Sequence, residues 1–470
     1  MPLPEVVYAQ ASPTSMGGTS LFATGARIRA ANVPSFFASA GVVRAAERAL
    51  KRAGFKVLNV APTTINIAGP PDLYESVFQT ELFTEEREVV KLLGTPDTAT
   101  FVETRDTDMP GLIDTSNSPV ANVVEGVAIE RPVYYMAPNA YPPPKAYWHL
   151  RVPGDVSMGL GADAVHRRMG LTGKGVNVVM VDSGWFAHPY FVGRGYRASV
   201  GLGPGAMNIN LDGSGHGTGE SANLYALAPD IEFTMMKMSF FNSTAAFNAA
   251  VALQPDIISV SWGTDVEKPP LGAADRALTA SVAAAVESGI IVVAASGNGQ
   301  FSFPGQHPDV ISAGGVYMEE DGALQASSYA SGFPSKIFSR RNTPDVSGLV
   351  GMAPNGTYIA LPVEPSSEMD TVFGGGAHPA KDETKTDDGW AMFSGTSAAA
   401  PQLAGICALM KEANPNLTPK DARDILKRTA RDVKKGKNAM GHRAKAGRDV
   451  ATGAGLADAQ KAVQAAARRR

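Results

Sequence analysis

Four side chains, Asp182, His216, Asn298 and Ser397, are of the types that together could cleave an amide bond. Acyl transfer at an amide requires a nucleophile, a base for its proton, a group that orients the base, and donors for the oxyanion. A serine hydroxyl is inert at neutral pH without an adjacent base. Ser397 lies in Phe393-Ser394-Gly395-Thr396-Ser397-Ala398-Ala399-Ala400-Pro401. Small neighbours there would let a substrate backbone approach, and a helix start would add its positive dipole end. The alternative is a plain helix cap, with Ser394 a loop serine. His216 is held between glycines in Gly213-Ser214-Gly215-His216-Gly217-Thr218-Gly219; otherwise it is a turn histidine. Asp182, in Val181-Asp182-Ser183-Gly184, either caps a turn or fixes the tautomer of a histidine. Asn298, in Ala294-Ala295-Ser296-Gly297-Asn298-Gly299, is an oxyanion donor or a left-handed turn residue.

The elements that must position these residues follow from the apolar pattern. Val176–Val181, Ile231–Met236, Ile257–Val260 and Ile290–Ala294 are continuous apolar runs, as expected of strands covered on both faces. An alanine-rich helix, Ala273–Ser288, lies between the last two. This alternation predicts a parallel sheet with right-handed crossovers, in which ligands sit at the carboxyl ends of the strands. Asp182 and Asn298 both follow such ends. Ser397 opens an apolar helix that reaches Ala413 and stops at Asn414-Pro415, and Thr418 caps a further helix to Thr429.

Residues 1 to about 140 have a different texture. Val42–Gly54 and Pro70–Phe78 read as helices, with strands at Lys56–Val60, Thr64–Ile67, Thr98–Glu103 and Val123–Tyr135. This is a small α+β unit. Ala137–Lys145, with Pro138, Pro142, Pro143 and Pro144, reads as an extended linker to about residue 150. The predicted organisation is therefore an α+β domain at 1–140 and an α/β domain at 151–470.

Composition sets wider bounds. The chain has 470 residues, of which 44% are hydrophobic and 19% charged, so a large core is expected and general disorder is not. A net charge of -3 gives no reason to expect nucleic acid or an anionic membrane as partner. No apolar stretch is long enough to span a membrane. Cys407 is the one cysteine. Met1–Gln10 has no cationic segment leading into an apolar run, and the expected compartment is cytoplasmic.

In the order Asp, His, Asn, Ser, the blocks around the four residues resemble the signature blocks of the subtilisin-like serine peptidases, the subtilase family. The resemblance runs from about Gly173 to Ala459 and includes Gly453-Ala454-Gly455-Leu456-Ala457-Asp458-Ala459. It implies an α/β subtilisin-like three-layer fold around a seven-stranded parallel sheet. It implies a serine endopeptidase in which Ser397 attacks, His216 is the base, Asp182 orients it, and Asn298 meets the oxyanion. Ser261-Trp262-Gly263 is similar to the strand that pairs with substrate, and Ala295-Ser296-Gly297 with Ser302-Phe303-Pro304 would wall the P1 pocket. Small residues there would admit a fairly large apolar P1 side chain, and no acidic residue is evident there to select Lys or Arg.

By the same resemblance the first unit is similar to a subtilase propeptide, a split βαβ module that assists folding and inhibits the site. It also resembles the propeptides of sedolisins, which use a Ser-Glu-Asp triad; His216 argues against that chemistry. Tyr135 or Met136 is the expected cleavage point. Two departures stand out. Gly219-Glu220 follow Thr218 where the family continues with His-Val-Ala-Gly and a calcium loop, so no metal or cofactor is carried over. The segment Val350–Trp390 is long, and its Asp382, Glu383, Asp387 and Asp388 form either a hard-cation site or a solvated acidic loop. A dedicated maturation protease with one substrate, and a catalytically silent binding protein, remain alternatives.

Overall fold

The computed structural model describes residues 2–23, 33–60, 64–92, 95–130, 149–240, 242–269, 271, 273–353, 358–378 and 380–469. The expected linker and the expected cleavage point at Tyr135 or Met136 lie outside these residues. The chain divides into two compact units, Met1–Pro138 and Asn139–Arg470.

The first unit has its own core. Five antiparallel strands run in the order Lys56–Val60, Ile65–Gly69, Val7–Pro13, Val124–Ile129, Leu112–Ile113. The helices Ala40–Arg52 and Pro71–Phe78 contribute Leu50, Tyr74 and Phe78 to a core with Val7, Ile65, Ile67 and Val127. Ser39 caps the first helix by accepting from the Val42 amide at 3.3 Å. The central strand Val7–Pro13 escapes the sequence reading because two of its inward residues, Ala9 and Ala11, are too small to mark an alternation. Leu82–Leu92 and Thr95–Thr104 form a separate antiparallel hairpin.

The second unit is built on an eight-stranded sheet. Its strands are β1 (Asn177–Asp182), β2 (Ala198–Leu202), β3 (Glu232–Lys237), β4 (Ile257–Val260), β5 (Ile291–Ala295), β6 (Ile311–Met318), β7 (Leu324–Ala326) and β8 (Val346–Leu349). Seven are parallel, in the order β2-β3-β1-β4-β5-β6-β8, and β7 folds back antiparallel on β6. The fold class is α/β, as expected. The two-residue period of a strand sends alternate side chains to opposite layers. Val178 and Met180 of β1, and Ile291 and Val293 of β5, enter one core; Val179, Val181, Val292 and Ala294 enter the other. The first core is closed by α1 (His216–Leu227) and α4 (Thr396–Ala413), the second by α2 (Ser243–Ala252) and α3 (Ala273–Glu287). Burial on both faces is why these strands read as unbroken apolar runs. Among the described residues no helix is long and apolar enough to cross a membrane.

Candidate active site

Asp182 is the last residue of β1 and is 2% exposed. Its Oδ1 accepts from the Ser183 amide at 2.7 Å and lies 2.8 Å from Nδ1 of His216. Trp262 ties this strand end to the next one: its indole Nε1 donates to the Val181 carbonyl at 2.8 Å. The indole is thus engaged inward, while Ser261, Trp262 and Gly263 border the cleft.

His216 opens α1 rather than sitting in a turn. Gly215 before it has φ of 80°, in the left-handed region that favours glycine. The two glycines after it are required by close packing. A Cβ on Gly217 would stand 2.4 Å from the Gly184 carbonyl oxygen, and one on Gly219 2.5 Å from the Phe393 ring. That ring stacks beneath the imidazole, with centroids 6.3 Å apart. The helix start is held by Asp212, whose Oδ2 accepts from the Thr218 amide and hydroxyl at 2.8 and 2.6 Å. Burial tends to lower the pKa of His216. The charge and hydrogen bond of Asp182, with the carboxyls of Glu220 and Asp212, outweigh it and push the value up to about 9.

Ser397 is the second residue of α4, not its cap. Its hydroxyl donates to the Ser261 carbonyl at 3.0 Å, and the Ser261 hydroxyl donates back to the Ser397 carbonyl at 2.9 Å. Pro401 explains the second bond. Four residues on from Ser397, it has no N–H to offer that carbonyl, which is left for the Ser261 hydroxyl. Ser394 belongs to the loop, sharing a hydrogen bond with the Tyr329 hydroxyl at 2.6 Å and accepting from the Gly351 amide at 2.8 Å.

Asn298 follows β5. Its Oδ1 accepts from the amide and hydroxyl of Thr396 at 2.9 and 3.2 Å. With its oxygen engaged on α4, its Nδ2 is the end left to donate. Asn298 itself has negative φ; Gly297 and Gly299 on either side take the left-handed conformations, at 109° and 101°. The left-handed turn reading of Asn298 does not hold.

Asn298 and Ser397 share a cleft of about 310 Å³. Ser261, Trp262, Gly263, Ala295, Gly297, Asn298, Ser302 and Ser397 border it. Ser296 does not: it is fully buried and donates to the Ser331 carbonyl at 2.8 Å. The expectation that the cleft lacks an acid is corrected by Asp265. It reaches the rim because Thr264-Asp265 pairs antiparallel with Ser302-Phe303, and its Oδ1 accepts from the Phe301 amide at 2.7 Å. A second cavity, of about 650 Å³ beside Tyr196, Arg197 and Glu232, contains none of the site residues.

Asp382 in the long segment is fully buried, not a solvated loop residue. Its oxygens accept from Thr384 and from the Met392 amide, at 2.7 to 3.0 Å, so it organises the chain leading into the helix of Ser397. Among the described residues no group of three or more His, Cys, Asp or Glu side chains is placed to hold a metal ion.

The sequence profile of the Subtilase family matches residues 203–455. The chain belongs to the subtilase family. Alkaline elastase YaB from Bacillus sp. (strain YaB) is 28% identical over 280 residues, covering 56% of this chain and 61% of that protein. Subtilisin Savinase from Lederbergia lenta is 27% identical over 287 residues, covering 57% of this chain and 88% of that protein. The matched region thus spans about three-fifths of the first relative's length. Among solved structures, Sphericase aligns with a TM-score of 0.45 at 21% identity, over 63% of this chain and 97% of that one. The subtilase match covers the helix of His216, the Asn298 turn and the helix of Ser397, and begins after the strand that carries Asp182.

Glu220 is the residue that sequence reading passed over. It is fully buried on α1, one turn beyond His216, with its Oε1 3.9 Å from Nε2 of the imidazole. Burial pushes its carboxyl up to about 8, with the charge of Asp182 adding and His216 opposing.

Proposed function

We propose that the chain is a serine endopeptidase, with Asp182, His216 and Ser397 as the triad and Asn298 as an oxyanion donor. The observation that carries this reading is the 2.8 Å contact of His216 with Asp182, in a subtilase that has Ser397 and Asn298 on one cleft. An extended peptide would add as a strand along Ser261–Gly263, its P1 side chain entering beside Ala295, Gly297 and Ser302.

The chemistry then follows from the donors and acceptors. Asp182 fixes the proton of His216 on Nδ1, which leaves Nε2 free to accept. The Ser397 hydroxyl turns from the Ser261 carbonyl to Nε2 and gives up its proton as Oγ bonds to the carbonyl carbon. The oxyanion is met by Nδ2 of Asn298 and the Ser397 amide. The imidazolium returns the proton to the leaving nitrogen as the C–N bond breaks. Water, deprotonated by the same imidazole, then bonds to the acyl carbon, and the imidazolium returns that proton to Oγ of Ser397 as the ester C–O bond breaks. No step uses a metal. The first unit, with its independent core, is proposed as an intramolecular inhibitor of this site, which makes the chain a zymogen.

Incubation of the purified chain beside Ser397→Ala, followed by intact mass and a casein digest, tests the reading. The wild type is expected to shed a fragment about the size of the first unit and to digest casein, while the variant does neither. A wild type and variant that both stay whole and leave casein intact would contradict it.

A further inference from the structure

We propose that Glu220 is a positioning residue for the catalytic base, a second carboxylate whose Oε1 stands 3.9 Å from Nε2 of His216 and strengthens its hold on the proton taken from Ser397. This inference rests on the proposed peptidase reading, and its test separates the two.

The placement of Glu220 is not that of a surface residue. Side chains four apart on a helix share a face, and here that face is interior: residues Gly217 to Leu227 of α1 are all buried. A carboxyl is rarely enclosed completely unless something holds it. Oε2 accepts from Nδ2 of Asn223 at 3.0 Å, and Asn223 in turn accepts from Nε2 of Gln402 on α4 at 2.9 Å. Gln402 is clamped to β8 by the Leu349 amide at 2.7 Å and carbonyl at 3.1 Å. The carboxyl therefore ends a buried relay of fixed side chains. Oε1 is its remaining face: it is buried and has no hydrogen-bond partner. That oxygen is the one nearest the imidazole.

Three further groups, each from a different element, surround the pair. Asp182 comes from β1, Asp212 from the turn before α1, and the Tyr329 hydroxyl from the loop after β7. Within this set the protonated His216 is the one cation. When Ser397 gives up its proton, the imidazolium has Asp182 at Nδ1 and Glu220 on its Nε2 side. Glu220 touches no reacting atom and acts only through the ring. Its burial raises its own affinity for a proton, so its charge is felt fully only toward alkaline pH, the range in which His216 itself releases a proton.

Glu220→Gln isolates the charge, because the amide oxygen still accepts from Asn223. In the full chain, the pH at which kcat/KM is half-maximal on the acid side is expected to fall by about one unit, the low end for loss of an opposite charge a few ångströms away. The kcat on the alkaline plateau falls while KM stays unchanged. The low-field Nδ1–H proton resonance of His216, followed against pH without substrate, is expected to move by the same amount. Midpoints that coincide with wild type, or rise, overturn the proposal. If neither protein cleaves peptide but the resonance still titrates lower in Glu220→Gln, the positioning role stands and the peptidase reading falls. Should Glu220→Gln fail to fold, Glu220→Asp serves. It holds the charge one methylene farther off and is expected to titrate between wild type and the value for an uncharged neighbour; a wild-type midpoint there overturns the proposal.

Discussion

Nδ1 of His216 and Oδ1 of Asp182 are 2.8 Å apart, although they belong to a helix start and a strand end separated by 34 residues. The contact sets both the tautomer and the basicity of the ring. With the neutral imidazole as the proposed base, kcat/KM is predicted to rise with pH through a midpoint above the ordinary histidine value of 6.5 and toward about 9. Asp182→Asn should move that midpoint down and cut kcat by about 10⁴, the size found for the matching change in the trypsin-type triad. The stability sign follows from the same shift. A pKa raised on folding contributes stability that is complete below 6.5 and is lost as pH rises through about 9. The stability advantage of wild type over Asp182→Asn should therefore shrink across that interval, as read from denaturant midpoints at a series of pH values.

Asn298 is anchored through its oxygen and offers only its nitrogen. Asn298→Ala is predicted to lower kcat by about 10²–10³ with KM nearly unchanged, the loss recorded for the corresponding donor of subtilisin itself. A change confined to KM would assign Asn298 to ground-state binding.

Gly217 has no room for a side chain. Gly217→Ala forces a methyl against the Gly184 carbonyl and is predicted to cost about 1–3 kcal/mol of stability, as overpacking does, and to lower activity at least tenfold by tilting the start of α1. Gly213→Ala, where a Cβ would meet nothing within 4 Å, is the matched control and should change neither. Thermal unfolding and a peptide assay on the two variants decide the point.

The first unit has a core of its own, from Val7 to Ile129. Residues 1–140 added in trans to the separated second unit are predicted to inhibit its proposed peptidase activity at about micromolar concentration, equivalent to roughly 8 kcal/mol of binding. Absence of inhibition at that concentration removes the inhibitor role.

Much of this was legible in the sequence because chemistry restricts residue type. A histidine among glycines and a serine before three alanines and a proline leave few readings. Continuous apolar runs mark β1, β3, β4 and β5 within a residue or two. What escaped did so for physical reasons. Ala198–Leu202 holds a glycine and an alanine in five residues and carries no strong strand signal. Asp265 is brought to the cleft by a two-residue strand pairing that no local pattern announces. Asp382 reads as part of an acidic loop, yet it is buried by bonds to Thr384 and the Met392 amide. Glu220 stands out in the sequence only as a departure from the family pattern after Thr218. Its clue is that Gly217, Gly219, Ser221 and Ala222 around it are all small, so α1 has no polar face to which a carboxylate would belong. Pro401 held a similar clue: a proline six residues into a helix frees the carbonyl of Ser397, which Ser261 then takes.

The most direct test of the central claim is labelling with a fluorophosphonate, which is attacked only by an activated serine. The adduct is predicted to map by peptide mass to Ser397, to vanish in Ser397→Ala, and to form far more slowly in His216→Ala. Labelling of another serine, or equal labelling of Ser397 with and without His216, would contradict the account.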